Sequence, residues 1–318
     1  MKLIRLFVIL ILLGLGGFWF WFSSNTGAVN SSDKHTEMFV VGKGQGVKAI
    51  AKNLEEQKLI KNQLAFYLLV KQLGIEEKIQ AGSFRLSPSL SAEQIAQNLT
   101  KGSLDVWVTI PEGKRADEIA DILKQSLPSY KEDWRQKLQA QEGYLFPDTY
   151  LFPLDSSIDS IIAIMKTTFD QKYKTVVNKK PTMTQHEIVT IASLIEREGK
   201  HDEDRPLIAS VIYNRLEIGM PVQIDATIQY VLGYQASEQS WWKRHLSLDD
   251  LKVQSAYNTY KNTGLPPTPI ASPGIKALEA ALNPAQTDYL FYITDKNGIN
   301  RYAKTNAEHE KNIATYGL

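Results

Sequence analysis

The chain has 318 residues, a formal net charge of +1 and no cysteine. At roughly 100–200 residues per domain, the length suggests two domains with appendages. The near-neutral balance argues against nucleic acid as the main partner. The absence of thiols excludes disulfides, thiolate zinc sites and a cysteine nucleophile.

Lys2 and Arg5 precede "LFVILILLGLGGFWFWF", Leu6 to Phe22, which carries no charge. An apolar run of about 17–25 residues can cross a bilayer as a helix. The basic flank predicts that residues 1–5 stay in the cytoplasm and that everything after the span lies outside it. The aromatic cluster Phe18 to Phe22 suits a membrane interface. A cleaved leader has a shorter apolar core, about 7–15 residues, and "NTGAV" is a poor cleavage site, so an uncleaved single-pass anchor is expected. Residues 23–38 are polar and aperiodic and read as a flexible stalk.

Residues 39–105 read as a small α+β module. Phe39 to Val41 suits a strand, Gly42, Gly44 and Gly46 a turn, and Val47, Ile50, Ala51 and Leu54 fall at helical spacing. The third glycine comes too early for the dinucleotide fingerprint G-x-G-x-x-G. A helix over 62–73, a strand in "GSFRLSP" and a capped helix in "SAEQIAQNLTKG", ended by Gly102, complete the module.

Residues 106–318 form a second, mixed α+β domain, which makes the fold class α+β overall. Its first part, 106–180, holds a strand in "VWVTIPEG", helices at about 115–126 and 131–140, an ordered irregular segment over 142–153 and a long helix over 158–177. In 181–318, Thr184 and Glu187 make a capping box, and Ile188, Ile191, Ala192 and Ile195 form one apolar face ended by Gly199. A following helix, about 205–218, carries the stripe Ile208, Ile212 and Leu216 and stops at Gly219.

Several chemistries are weak here. "HEIVT" lacks the second histidine of a zinc protease helix, because position 190 is Thr. "HDED", His201 to Asp204, reads as acidic capping of the next helix rather than a metal site. No G-x-S-x-G elbow occurs. No metal and no cofactor is expected.

What remains is "TIASLIEREGK", with Glu196 and Glu198 two residues apart. On a helix they diverge by about 200°, so they cannot share one bond. Glu198 lies over Leu194 and Ile195, Glu196 over Ala192 and Ser193. A carboxyl pressed on apolar groups has a raised pKa, which suits a general acid and tilts the choice toward Glu198. Two solvated charges at a helix end remain an open reading of the same pattern. Asn214, Gln223, Asp225 and Thr227 lie in a stretch too polar for a core strand. Ser255 to Gly274 combines Tyr257, Asn258, Thr259, Tyr260, Gly264, Leu265 and Pro266. Tyr and Asn together can stack on sugar rings and hydrogen-bond hydroxyls, and the prolines keep such a loop ordered; a purely structural loop is the alternative.

"IASLIEREG", "VIYNRLEIGMPVQIDATIQYVLG", "SAYNTYKNTGLPPTPIASPG" and "YAKTNAEH", in this order, resemble the YceG-like family of endolytic murein transglycosylases. "EGYLFPDTY" resembles the family's segment upstream of its catalytic core, and "FVVGKGQGVKAIAKNL" is similar to the start of a LysM-type module. The resemblance implies a LysM-like module over 39–105 and a catalytic domain over 106–318. It implies cleavage between N-acetylmuramic acid and N-acetylglucosamine within peptidoglycan strands, leaving 1,6-anhydro ends. It makes Glu198, the second acid of E-x-E, the catalytic residue. Related enzymes often carry Ser or Thr next, where this chain has Gly199.

Such an enzyme can work with one carboxylate. Glu198 would give its proton to the leaving oxygen and then take one from the sugar's C6 hydroxyl, an intramolecular nucleophile. Asp225 would support substrate or a neighbouring side chain, and Glu196 would be a supporting charge whose change to Gln is milder. Asn214, Gln223, Thr227 and the loop residues 257–260 and 264–266 are the candidate cleft wall. A hydrolytic muramidase using Glu198 with Asp225, and a non-catalytic glycan-binding scaffold, are the competing readings. The implied partners are glycan strands, the bacterial cytoplasmic membrane and the cell-wall synthases whose nascent strands the enzyme would trim.

Overall fold

The computed structural model describes residues 2–102, 104–177 and 182–317. It separates into two compact units: Met1–Val108 with Leu151–Leu154, and Thr109–Tyr150 with Asp155–Leu318.

Unit 1 contains α1 (Lys2–Thr26), β1 (Glu37–Val41), α2 (Val47–Glu56), α3 (Gln63–Leu73), β2 (Gly82–Leu86), α4 (Ala92–Asn98) and most of β3 (Asp105–Thr109). β1 and β2 pair antiparallel with Phe39 opposite Phe84. The strand's alternation turns Phe39 and Val41 inward, onto Ile50 and Leu54 of α2, Phe66 of α3 and Ile95 of α4. Ser91 caps α4: its hydroxyl accepts from the Gln94 N–H at 3.2 Å, and Gln94 Oε1 accepts from the Ser91 N–H at 2.9 Å. The helix stops at Asn98, before the expected glycine, because Thr100 and Lys101 already turn back onto Gln97 and Asn98.

Among the described residues no helix is long and apolar enough to cross a membrane. The span expected over 6–22 falls partly outside them, at the side chains of Leu6, Val8 and Ile9. Within α1, Leu12, Leu13, Leu15, Trp19 and Phe20 are exposed.

Unit 2 contains α5 (Ala116–Ser126), α6 (Trp134–Gln139), β4 (Thr149–Pro153), α7 (Ile158–Val176), α8 (Gln185–Glu198), α9 (Arg205–Glu217), α10 (Asp225–Leu232), α11 (Ile275–Leu282), β5 (Phe291–Thr294), β6 (Asn300–Ala303) and α12 (Asn306–Tyr316). Residues 151–153 of β4, with Leu154, belong to unit 1. The segment expected to be irregular over 142–153 thus ends in a strand, which pairs with β3. β5 and β6 make an antiparallel hairpin with Tyr292 opposite Tyr302.

The centre of unit 2 is α8. Thr184 Oγ1 accepts from the Glu187 N–H at 3.3 Å, and Glu187 Oε2 accepts from the Thr184 N–H at 2.8 Å, which is the expected capping box. The expected single apolar face is too narrow. Every residue from Ile188 to Ile195 is buried, because α9, α10 and α11 all pack on this helix. Two polar residues survive there by bonding along the helix. Thr190 Oγ1 donates to the His186 carbonyl at 2.8 Å, and Ser193 Oγ donates to that of Thr190 at 2.7 Å. Ser193 Oγ also accepts from the Ile270 N–H at 3.1 Å, tying the 255–274 loop to the helix.

Gly199 ends α8 as expected, but with φ −83°, outside the left-handed region. The missing Cβ matters for space instead. A methyl there would meet Arg205 Cγ at 2.8 Å and the Ile195 carbonyl at 3.1 Å. A Ser or Thr would collide with the start of α9. Gly143 combines both needs, with φ +84° and a built Cβ 2.4 Å from Pro269. Gly199→Ala is expected to lower the unfolding free energy by about 1–3 kcal/mol, the usual cost of overpacking. An unchanged urea midpoint would show that Arg205 gives way freely.

Candidate active site

The last turn of α8 sends its two acids to different surroundings. Glu198 is half-buried and accepts from the Tyr292 hydroxyl at 2.9 Å through Oε2. Burial pushes its carboxyl above the ordinary carboxylate range. The Tyr292 hydroxyl opposes that rise, the charge of Asp225 adds to it, and Arg197 and the Ala226 N–H oppose it further. Glu198 therefore faces the N-terminus of α10, where Asp225 and Ala226 are the first residues.

Glu196 belongs to the scaffold. Its side chain is 6% exposed, and Oε2 takes a charge-assisted bond from Arg205 Nη1 at 3.0 Å. The same oxygen accepts from the Gly274 N–H at 3.0 Å, at the start of α11. One carboxylate thus joins the ends of α8, α9 and α11. Burial raises its pKa against the pull of Gly274 and Arg205. Asp204, expected to cap α9, stands at the N-cap position but makes no side-chain cap bond. Its Oδ1 instead accepts from the Tyr302 hydroxyl at 3.0 Å. Among the described residues no group of three or more metal-ligating side chains is placed to hold an ion.

Asp225 and Tyr260 lie beside Glu198. Tyr260 donates a short hydrogen bond to Asp225 Oδ1. Its phenol is pushed far up, by burial first and then by Asp225 and Glu198. Gln223 is exposed with φ +53°, a costly backbone state for a residue with a Cβ. It is held there by a bond from its N–H to the Thr259 carbonyl at 3.0 Å.

The remaining candidates from the sequence are bonded or packed into the frame around Glu198. Thr227 and Thr259 are buried, with hydroxyls 2.9 Å apart, and Thr259 Oγ1 accepts from the Ile224 N–H at 3.0 Å. Asn258 is fully buried and donates to the Leu251 and Val253 carbonyls at 2.9 and 2.8 Å. Asn214 donates to the Thr287 and Tyr289 carbonyls at 2.8 and 2.9 Å, anchoring the chain that leads into β5. Tyr257 packs on Tyr230 and shares a 2.7 Å bond with Thr268. Gly264 turns the loop at φ +86°, Leu265 packs on the core and Pro266 is buried.

Two residues of the site escape a reading of the sequence. Tyr292 is 94 residues beyond Glu198 and sits in an ordinary strand pattern, so nothing local marks it. Arg215 does leave a signal, because it falls on the same helical face as Ile208 and Ile212. It is 7% exposed and donates to the Leu290 carbonyl at 2.6 Å and to the Val222 carbonyl at 2.7 Å. Arg215 thus fixes both the approach to α10 and the approach to Tyr292. A third buried acid, Glu142, is pushed up to about 7 by burial. It accepts from the Ala116 N–H and the Tyr230 hydroxyl and contacts neither Glu196 nor Glu198.

Glu196→Ala would leave Arg205 buried beside the distant edge of Asp202 alone, at 3.4 Å. A loss of about 3–5 kcal/mol in unfolding free energy is expected, the scale for one partner removed from a buried pair. A melting temperature equal to wild type would mean that water replaces the carboxylate without cost.

The model of the YceG-like family matches residues 39–315. A protein of Bacillus subtilis (strain 168) named endolytic murein transglycosylase is 35% identical, over 93% of this chain and 89% of its own length. One of the same name from Streptococcus pneumoniae serotype 2 is 31% identical over 98% of this chain, which spans 64% of that longer protein. The crystal structure of a YceG-like protein from Listeria monocytogenes superposes with a TM-score of 0.59 at 33% identity, covering 87% of this chain and 99% of that one. With a family match over most of its length and relatives at this level of identity, the chain belongs to the YceG-like family.

Proposed function

We propose that the chain is a peptidoglycan lytic endotransglycosylase with Glu198 as its single acid and base. The observation that carries the reading is the environment of Glu198: a half-buried carboxyl with raised pKa, bonded to a phenol. The name shared by the relatives supports the substrate class.

A protonated Glu198 donates its proton to the glycosidic oxygen while the bond from that oxygen to C1 of N-acetylmuramic acid breaks. The C6 hydroxyl oxygen of the same sugar bonds to C1, and its proton passes to the Glu198 carboxylate. No water is consumed, and the acid is regenerated. Tyr292, bonded to Oε2, leaves Oε1 to carry the proton and stabilises the carboxylate once it forms. The Asp225 charge disfavours early loss of the Glu198 proton, and Tyr260 holds Asp225 in place. Orientation of the intramolecular nucleophile takes the place of a second catalytic carboxylate.

A hydrolytic reading would make Asp225 the base for a water, and its closeness to Glu198 is the one observation in its favour. The exposed apolar row of α1 supports a single-pass anchor in the bacterial cytoplasmic membrane, with the rest of the chain outside the cytoplasm. There it would meet nascent strands beside the synthases that make them. The sequence of residues 39–54 supports a LysM-like reading of residues 39–105.

Glu198→Gln is expected to abolish cleavage of purified peptidoglycan with the fold intact. Wild-type products are expected to end one water lighter than reducing ends by mass spectrometry. Reducing ends would reverse the choice in favour of hydrolysis, and full activity in Glu198→Gln would remove the mechanism.

The pH profile tests Tyr292. Activity needs protonated Glu198, so it falls as pH rises through that group's pKa. Tyr292 holds this pKa down. Tyr292→Phe is therefore expected to move the alkaline limb to higher pH while lowering kcat/KM on the order of 10-fold. A limb that stays in place would exclude the bond as a control of Glu198.

A further inference from the structure

Unit 2 carries a cavity of about 690 Å³ that the reaction above does not use. It runs along α5 against the turn that follows α10, and its size is that of a small-molecule site. Tyr234 and Trp241 form one corner. Their rings cross edge to face with centroids 5.3 Å apart, and Tyr234 is 50% exposed.

The corner is rigid. The Trp241 indole N–H donates to Asp121 Oδ2 at 2.8 Å, and the Trp242 indole N–H donates to Glu118 Oε2 at 2.7 Å. Both acids belong to α5, so the turn is fastened to that helix twice. Gln235 and Ser240 close the turn with a 2.7 Å backbone bond. Arg115 lies 4.9 Å from the Trp241 ring and 4.1 Å from that of Tyr230, supporting the turn from within.

The charges of the lining are already neutralised. Lys114 pairs with Glu118 at 2.6 Å, Asp121 with Arg135 at 2.6 Å and Lys124 with Glu132 at 2.5 Å. What the cavity offers a ligand is the aromatic corner and the carboxamides of Gln125 and Gln239. This suits a neutral ring with apolar faces, hydroxyls and an amide. It suits a peptide stem with free charges poorly, since each charge would lose water without finding a partner.

Arg197, the neighbour of Glu198 in sequence, packs behind the same turn. It stacks on Trp242 at 3.8 Å and donates to the Gly113 carbonyl at 3.3 Å, next to Lys114 in the wall.

We propose that the cavity is an accessory subsite for a neutral N-acetylhexosamine unit of the glycan strand, away from the bond that is cut. The proposal rests on the transglycosylase reading for the identity of the polymer. It gives the enzyme a second hold on the strand and a way to prefer positions inside it over ends.

The test uses the full-length protein with Tyr234→Ala and Gln125→Ala, both at exposed positions, with melting curves to verify folding. Substrates are intact strands and strands stripped of their stem peptides. In folded Tyr234→Ala, KM is expected to rise on the order of 5-fold or more on both, the scale for truncating one interface aromatic. Gln125→Ala is expected to shift KM in the same direction by less. Unchanged KM in both folded variants overturns the subsite. A rise confined to peptide-bearing strands also overturns it, because the ligand is then the stem. If the wild type cleaves neither substrate, the transglycosylase reading fails, and chitotetraose binding decides the subsite separately. Weaker binding to Tyr234→Ala than to wild type then supports it, and equal binding overturns it.

Discussion

The pair formed by Glu196 and Arg205 holds the central joint of unit 2. Both side chains are nearly out of water, and their bond stands where α8 ends and α9 begins. Glu196 also reaches the first N–H of the 274 turn, so α11 is set by the same carboxylate. A buried ion pair contributes little net stability, because desolvation offsets the attraction. What it supplies is direction. Breaking it leaves an uncompensated charge, so the three helix ends have one favourable arrangement. That arrangement needs Gly199, because a Cβ there would push Arg205 away.

With the joint set, the opposite side of the same helical turn is available for chemistry. Glu196 and Glu198 differ by only two residues, yet one is paired with a cation and the other with a phenol. The two partners act on the carboxyl proton in different ways. A guanidinium bonded to a carboxylate favours its charged form, whereas at Glu198 burial and the charge of Asp225 favour the protonated form against the pull of the Tyr292 hydroxyl. Helical geometry points the two acids apart, and the elements packed on each side give them different partners.

The frame around Glu198 is built from backbone bonds to polar side chains. Thr259 and Thr227 clamp the start of α10, Asn258 fixes the loop that carries Tyr260, and Arg215 joins Val222 to Leu290. Such buried polar groups would be costly unpaired. Paired, they fix loop positions that apolar packing would leave loose. The backbone of Gln223 stays in its unfavourable state for this reason.

Local signals in the sequence determined the helices of unit 2 between residues 115 and 218, the Thr184 capping box, the divergence of Glu196 from Glu198 and the family. These follow from helical period, capping chemistry and long ordered motifs, all of which act over a few residues. The burial of α8 on every side, the strand at 149–153 and the identity of Tyr292 as partner of Glu198 belong to tertiary structure. So does the placement of Asn258 and Thr259 in the frame. Polar residues at helical or loop spacing look alike whether they meet water, substrate or a distant carbonyl. Only the packing of segments far apart in the chain chooses among these, because the partner that satisfies each polar atom is contributed by another element.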